Sequence, residues 1–410
     1  MKPRIRQERL FAFLSPDHPL RPEIDRFEAE LAKHGEEEIF RGTGARTIHA
    51  DLKVGPIPGG GWRVAALYWS LQRRSRQGFA AGTLSFKAKS GRCTWLDYPT
   101  DPRLPGLPEF LADRPGTEVL RYIPLRRITL RLREASGRAV VAKLKGAARF
   151  REAWELLRLV EARVAQAQPG FRVPKALGLE EARCLFFQEA LPGRSLAEVL
   201  DQHNAANLLE PLGELHRRLH ALPAEGLARR SPAKDAMQAQ EHAGLIGLML
   251  PALRERVTGL AATLVATTPE DGPPAFCHGD PDCGQVLLDG DAWSMLDFDA
   301  CHAGDPYRDA AMLAASLEYH VPRLRTLAET GELGGRIVAE AAEAFLASYF
   351  GGRPKDPTRL AWHRACAELH YLALELKKDR YRARAFARRF ARLQDHVAAL
   401  PAATARGRAG

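Results

Sequence analysis

The segment 276–309 constrains the fold of this chain more than any other part of it. It alternates short apolar runs with acidic side chains. Two apolar runs, 286–288 and 293–296, flank the tripeptide Asp-Gly-Asp at 289–291, which is a turn signal typical of a β-hairpin. Because a hairpin brings its two open ends together, residues that lie just outside these runs are expected to meet in space.

Oxygen-bearing side chains lie at the open end of this predicted hairpin. Asp280 follows His278 in the preceding loop, Gln285 directly precedes the first strand, and Asp297 follows the second. Two carboxylates and an amide oxygen are hard ligands, which suit Mg²⁺ held together with substrate phosphates. The sequence therefore predicts a magnesium site where Asp280, Gln285 and Asp297 converge.

Three linked motifs in this segment resemble the aminoglycoside phosphotransferase and choline-kinase-like family. They are H-G-D-x-x-x-x-Q at 278–285, L-D-F-D at 296–299 and G-D-P-x-x-D at 304–309. Their order and spacing follow the family pattern, except that Gln285 stands where the family usually has Asn. Since Gln keeps the amide oxygen and adds one methylene, we interpret it as a variant that still reaches a metal.

The resemblance implies an α+β protein of the protein-kinase-like two-lobe fold that transfers the γ-phosphoryl group of ATP, with Mg²⁺, to a hydroxyl group of a small molecule. It implies that Asp280 orients the acceptor hydroxyl and accepts its proton. Asp297 would be the main metal ligand and Gln285 the second. The acceptor stays open among a sugar, an amino alcohol and an aminoglycoside-like compound. The alternative is a nucleotide-binding pseudokinase with a regulatory or scaffold role.

The same resemblance assigns nucleotide-binding roles to residues before the catalytic segment. Lys143, in the predicted strand 139–144, matches the lysine that contacts the α- and β-phosphates, and Lys145 on the same face is the second choice. Glu152 matches the helical glutamate that holds this lysine, while Glu155 lies one turn further on.

A hinge and a loop complete the predicted nucleotide site. The segment 184–196 resembles the interlobe hinge, so backbone groups of Glu189 and Leu191 are expected to pair with the adenine edge. The loop 124–126 holds no glycine. Arg126 in this loop either contacts phosphates through its side chain or is a solvated hairpin charge, and the sequence leaves both interpretations open.

The chain divides into three predicted domains. We expect an appended α+β domain at 1–115, a kinase-like N-lobe with its hinge at 116–192, and a helical C-lobe with the catalytic and metal loops at 193–410. The first of these contains a predicted helix at 19–35 and a predicted strand at 62–71, and a second strand is expected at 82–88.

Composition narrows the classes of function. With 45% hydrophobic and 27% charged residues, no long apolar run and no leader pattern, we expect a cytoplasmic protein without a membrane span. The net charge of +10 comes mostly from dispersed arginine, so we expect no nucleic-acid partner; it also disfavours a polycationic acceptor. Six cysteines without a C-x-x-C pair indicate reduced thiols, and a zinc site at Cys277, Cys283 and Cys301 is the less favoured alternative.

Overall fold

The described part of the molecule consists of an N-terminal segment, a β-rich lobe and a helical lobe. The computed structural model describes residues 9–33, 46–56, 62–75, 78–87 and 91–401. Strands dominate up to the hinge and helices dominate after it. This arrangement agrees with the predicted α+β class.

The strands and helices are numbered along the chain. The strands are β1 (Arg46–Pro56), β2 (Trp62–Ser75), β3 (Gly78–Lys87), β4 (Arg92–Asp97), β5 (Glu118–Ile123), β6 (Arg127–Arg133), β7 (Ala139–Lys145), β8 (Ala176–Glu180), β9 (Leu185–Glu189), β10 (Arg194–Ser195), β11 (Ala275–Cys277), β12 (Val286–Asp289), β13 (Ala292–Met295) and β14 (His302–Gly304). The helices are α1 (Arg21–Lys33), α2 (Leu107–Asp113), α3 (Phe150–Ala167), α4 (Leu196–Val199), α5 (Ala205–His220), α6 (Pro232–Met249), α7 (Arg254–Ala266), α8 (Pro306–His320), α9 (Pro322–Glu329), α10 (Glu332–Phe350), α11 (Pro357–Lys377) and α12 (Ala383–Ala398).

The β-rich lobe is built on a five-stranded antiparallel sheet with the order β5-β6-β7-β9-β8. The side chains of the central strand β7 alternate between its two faces. Ala142 and Leu144 pack with Phe110 of α2 in one apolar cluster. Lys143 and Lys145 therefore point to the opposite face, which looks toward the helical lobe.

The predicted hairpin in the helical lobe is confirmed. Strands β12 and β13 pair from Val286↔Met295 to Asp289↔Ala292, and Gly290 in the turn has a φ of +58°. Strand β10 pairs with β12, which ties the segment after the hinge to the hairpin. Helices α5, α8, α10 and α11 share the core beneath it.

The N-terminal segment packs against both lobes. Strands β1 to β4 form an antiparallel sheet, and helix α1, predicted at 19–35, is observed at Arg21–Lys33. Phe27 of α1 and Leu52 of β1 belong to the same apolar core as Trp362 of α11. Asp51 of β1 also forms an ion pair with Lys378 at 2.8 Å. Through α2, the linker that follows covers the sheet of the β-rich lobe.

No helix in the described ranges combines the length and the apolar character that a membrane span requires.

If the N-terminal segment is part of the main core, Phe27→Ala will destabilise the whole protein. The Phe27 side chain is fully buried, and truncating such a ring costs about 3–5 kcal/mol. We expect a single urea transition that shifts to lower denaturant concentration. Met237→Ala is the control, because Met237 is an exposed residue of α6. An unchanged midpoint for Phe27→Ala would show that α1 does not stabilise the helical lobe.

Candidate active site

One buried carboxylate, that of Asp309 in α8, braces the loop that carries the H-G-D motif. Its Oδ2 accepts a hydrogen bond from the backbone N–H of His278 at 2.5 Å, and both oxygens accept one from Gly279 at 3.2 Å. His220 and Arg308 contact the same carboxylate at 3.4 and 3.5 Å. Burial favours the neutral acid, but the hydrogen bond from His220 and the charge of Arg308 hold the pKa of Asp309 below its usual range.

The backbone of Gly279 is held in a conformation that only glycine adopts without strain. Its φ is +86°, and an added Cβ would clash with the carbonyl oxygen of Ala300. Arg308 donates a hydrogen bond to the Gly279 carbonyl at 3.0 Å, and His278 Nε2 lies 2.9 Å from the Leu296 carbonyl oxygen. Asp280 follows this fixed backbone, with its side chain open to solvent.

The hairpin places Gln285 beside Leu296, the residue before Asp297. The backbone N–H of Leu296 donates to the carbonyl of Gln285 at 2.8 Å, and the Gln285 N–H donates to Asp282 at 3.0 Å. Asp297 itself has a φ of +62°, so the chain turns sharply after β13. This turn directs Asp297 and Asp299 toward the β-rich lobe, where each meets a cation.

Cations from the β-rich lobe pair with these two carboxylates across the cleft. Lys143 Nζ lies 2.8 Å from Asp297 Oδ1, and Lys145 Nζ donates to Asp299 Oδ2. Arg127 Nη1 lies 3.4 Å from Asp297 Oδ2 and 3.3 Å from Asp299 Oδ2. These contacts join the two lobes at the motif L-D-F-D.

We call the group formed by Asp297, Asp299, Lys143, Lys145 and Arg127 the ion cluster. Within it, the pKa values of the two carboxylates are shifted in opposite directions. Burial alone would raise the pKa of Asp297, but Lys143 and Arg127 bring it well below its ordinary value. Burial and the neighbouring charge of Asp297 raise the pKa of Asp299. The pKa of Lys143 is raised, since the two carboxylates outweigh its burial. Paired carboxylates beside an amide are a donor set that fits Mg²⁺, because they already attract cationic groups.

Charges of both acidic loops act on the pKa of Arg121 in β5. The walls of the cleft partly desolvate its guanidinium, and Arg127 lies nearby; both effects lower its pKa. The charges of Asp297, Asp282 and Asp280 act in the opposite direction.

The predicted contact between Lys143 and Glu152 is not formed in this structure. Glu152 is an exposed residue in the first turn of α3, and Lys143 pairs with Asp297 and Asp299 instead. Glu155 is also exposed and lies 3.7 Å from Arg158 of its own helix. The reason is the helix face: Ala153 and Leu157 are the α3 residues that pack against the sheet, so the glutamates lie on the side that faces solvent.

Arg126, predicted either to contact phosphates or to be a solvated charge, lies in the loop between β5 and β6. Its side chain is exposed, and its charge lowers the pKa values of Lys53 and Lys378, which are already lowered by burial. Among the described residues, Arg127 but not Arg126 forms ion pairs with Asp297 and Asp299, and a contact of Arg126 with phosphates stays a prediction. The next residue, Arg127, is the arginine that reaches Asp297 and Asp299. The residue singled out from the sequence, Arg126, is the neighbour of the arginine that forms these contacts.

Of the two predicted hinge residues, Glu189 is the last residue of β9 and Leu191 follows the strand. The backbone N–H of Glu189 donates to the Lys175 carbonyl at 2.9 Å, so an adenine that pairs with Glu189 has to use its carbonyl oxygen. Leu191 is buried at the end of the hinge. Gly193 then approaches Leu288 so closely that a Cβ would lie 2.7 Å from the Leu288 carbonyl oxygen. This close packing holds the hinge against the hairpin.

Lys145 and Asp299 form a contact that the sequence analysis did not assign. The signal was present in the strand pattern, since Arg127 and Lys145 are direct cross-strand partners and thus share a face. Two cations side by side need a nearby anion, and Asp299 provides it.

The zinc alternative finds no support in the described residues. Burial raises the pKa of Cys277, Cys283 and Cys301, which keeps these thiols protonated. In the described part of the chain, the only compact group of metal-ligand side chains joins Cys277 with His220 and Asp309. Its carboxylate is already occupied by the hydrogen bonds that brace the catalytic loop.

Solved structures of low sequence identity have the same fold. One is a thermostable mutant of an aminoglycoside phosphotransferase in ternary complex with ADP and hygromycin B, which is 14% identical, with a TM-score of 0.51 over 72% of this chain and 98% of that chain. This likeness confirms the protein-kinase-like fold.

Curated relatives match a shorter stretch. The aminoglycoside 3'-phosphotransferase of Streptomyces fradiae is 33% identical over 36% of this chain, and that of Streptomyces ribosidificus is 27% identical over 37%. The match spans 60% and 61% of the length of these two relatives. A model of the phosphotransferase enzyme family matches residues 129–363, which is more than half of the sequence and includes all three motifs. The chain belongs to the phosphotransferase enzyme family.

Proposed function

We propose that this protein transfers the γ-phosphoryl group of ATP, with Mg²⁺, to a hydroxyl group of a small molecule. The observation that carries the proposal is the ion cluster across the cleft. Asp297 and Asp299 face Lys143 and Arg127 there, next to the loop that carries Asp280. Family membership and the relatives that are named phosphotransferases support the same reaction.

The cations of the β-rich lobe are suited to bind the phosphates of a nucleotide. Lys143 and Arg127 lie at the edge of the cleft that faces the metal loop, and each forms an ion pair with Asp297. Phosphate oxygens accept hydrogen bonds from ammonium and guanidinium groups as well as carboxylates do. A bound nucleotide can therefore take over these cations without leaving any of them unpaired.

Asp297 and Gln285 are the residues that would hold Mg²⁺. When bound, the ion would neutralise phosphate charge, which is the main requirement of phosphoryl transfer. The nucleotide would take the cations that now compensate Asp297. Backbone hydrogen bonds fix Gln285 beside Leu296, so its side chain starts from a defined position.

Asp280 is the residue that would orient the acceptor. Its carboxylate is open to solvent and follows a backbone that Asp309 and Arg308 hold in place. A carboxylate in a fixed position can accept a hydrogen bond from the attacking hydroxyl and take its proton.

The pseudokinase alternative shares the nucleotide site but not the reaction. Gln285 and the glycine-free loop before β6 motivate it. It predicts nucleotide binding without product, so binding and turnover have to be measured separately.

Asp297→Asn is expected to abolish the stabilisation that Mg²⁺ and ATP give together. For the wild type, ligand at 100 times its Kd stabilises the folded state by about 2.7 kcal/mol, which a thermal shift measures readily. The substitution removes the charge that the metal needs while keeping the shape of the side chain. Asp291→Asn is the control, since Asp291 is exposed in the hairpin turn. Equal Mg²⁺-dependent shifts in both variants would rule out Asp297 as a metal ligand.

Asp280→Ala is expected to lower turnover by about 10²–10⁴-fold, which is the usual contribution of general base catalysis. Binding of ATP should be unchanged, because Asp280 is not in the ion cluster with Lys143. The measurement is ADP release over a panel of hydroxyl compounds, with product mass as the second readout. Full turnover in the variant would contradict the role of Asp280. Nucleotide binding without turnover in the wild type, across the panel, would favour the pseudokinase.

A further inference from the structure

Three arginines lie together on the helical lobe without a carboxylate to balance them. Arg325 belongs to α9, and Arg380 and Arg382 lie between α11 and α12. None of the three forms an ion pair with a carboxylate in the described ranges, and the Nε of Arg325 is buried without a hydrogen-bond partner there. Burial and the charges of Arg382 and Arg380 lower the pKa of Arg325. We call these residues the arginine cluster.

Other arginines of the same region are neutralised, so the arginine cluster is not a simple result of the basic composition. Arg389 Nη1 lies 2.7 Å from Glu368 Oε2, and Arg392 Nη2 lies 2.8 Å from Glu318 Oε2. Glu375 also contacts Arg389, at 3.3 Å. Glu318 and Glu368 are compensated by these arginines within the helical core, whereas burial raises the pKa of Glu375 to about 7.

A chain of contacts connects the arginine cluster with the catalytic loop. Arg380 Nη1 donates to the Tyr319 hydroxyl at 3.4 Å, and the rings of Tyr319 and His320 are 4.8 Å apart. His320 Nδ1 lies 4.0 Å from Asp282 Oδ2, two residues after Asp280.

The charges of the catalytic loop and of Arg380 act in opposite directions on the pKa of His320. Burial lowers this pKa, and the charge of Arg380 acts in the same direction. The charges of Asp282 and Asp280 oppose the change. Through Tyr319 and His320, Arg380 of the arginine cluster is therefore connected to the loop that carries Asp280.

We infer that the acceptor substrate carries an oxyanion, a carboxylate or a phosphate, which Arg325 and Arg380 bind while its hydroxyl faces Asp280. This inference rests on the proposed function and names its substrate class. Guanidinium groups donate paired hydrogen bonds to such anions. An anion between Arg325 and Arg380 would offset the repulsion between their positive charges. A polycationic acceptor would increase that repulsion.

The test is a titration of the full-length protein with inorganic phosphate and, separately, with acetate, followed by calorimetry at constant ionic strength. The protein is first saturated with Mg²⁺ and a non-hydrolysable ATP analogue, so that the added anion cannot occupy the nucleotide phosphate site. Variants Arg380→Glu and Arg325→Gln are compared with Arg353→Glu, an exposed arginine at the end of α10. The two anions distinguish a phosphate-bearing from a carboxylate-bearing acceptor.

Saturable binding of either anion to the wild type and to Arg353→Glu, weakened about tenfold or more in Arg380→Glu and in Arg325→Gln, is the expected result. Absent binding, or equal binding in all variants, would overturn the inference. Tighter binding of the polyamine spermine, weakened by Asp282→Asn, would overturn it in favour of a cationic acceptor. Binding of the ATP analogue is recorded first and separately, so a failure of the nucleotide site is distinguished from a failure of the anion site.

Discussion

The active site depends on a buried carboxylate that is kept ionised. Asp309 has no exposed surface, and removing such a charge from water costs several kcal/mol unless it is paired. Backbone N–H groups of His278 and Gly279, together with His220 and Arg308, offset this cost. Since each of these partners is needed for a stable ion, the loop has little freedom to move. The buried charge of Asp309 therefore fixes the backbone from which the Asp280 side chain extends.

A second group of charges couples the two lobes. In this structure Lys143 and Arg127 compensate Asp297, and Lys145 compensates Asp299. The same cations are the groups that would meet nucleotide phosphates. Binding would thus exchange one set of anionic partners for another, while a metal would compensate the carboxylates. Under the proposed function, the affinity for nucleotide would reflect a difference between two well-paired states, and it would depend on Mg²⁺ because Asp297 has to be compensated.

Local patterns in the sequence predicted the parts of the site that depend on short-range structure. The hairpin at 286–295 follows from its turn residues, and the position of Gln285 beside Leu296 follows from the hairpin. Contacts between residues that are far apart in the sequence could not be predicted from these local patterns. Which glutamate or aspartate pairs with Lys143 depends on how α3 rotates against the sheet, and apolar residues of α3 decide that rotation.

The same limit applies to the first hundred residues. The helix α1 and the strands β2 and β3 were predicted, whereas β1 and β4 were not. The packing of this region on α11 and α12 through Phe27 and Leu52 depends on partners more than 300 positions away in sequence. The division into three domains stays a prediction. The shared core suggests a test of its own, because residues that bury one another's side chains unfold in one transition.

The charge pattern of the helical lobe separates structural from binding arginines. A guanidinium inside a core has to be paired, and Arg389 meets this condition with Glu368 and Glu375. Arg325 has a buried Nε but no such partner in the described residues, and its nearest charges have the same sign. Such an arrangement lowers stability unless something negative occupies it. Since Arg380 is connected to the catalytic loop through Tyr319 and His320, the anion inferred for this cluster would be part of the molecule that reacts there.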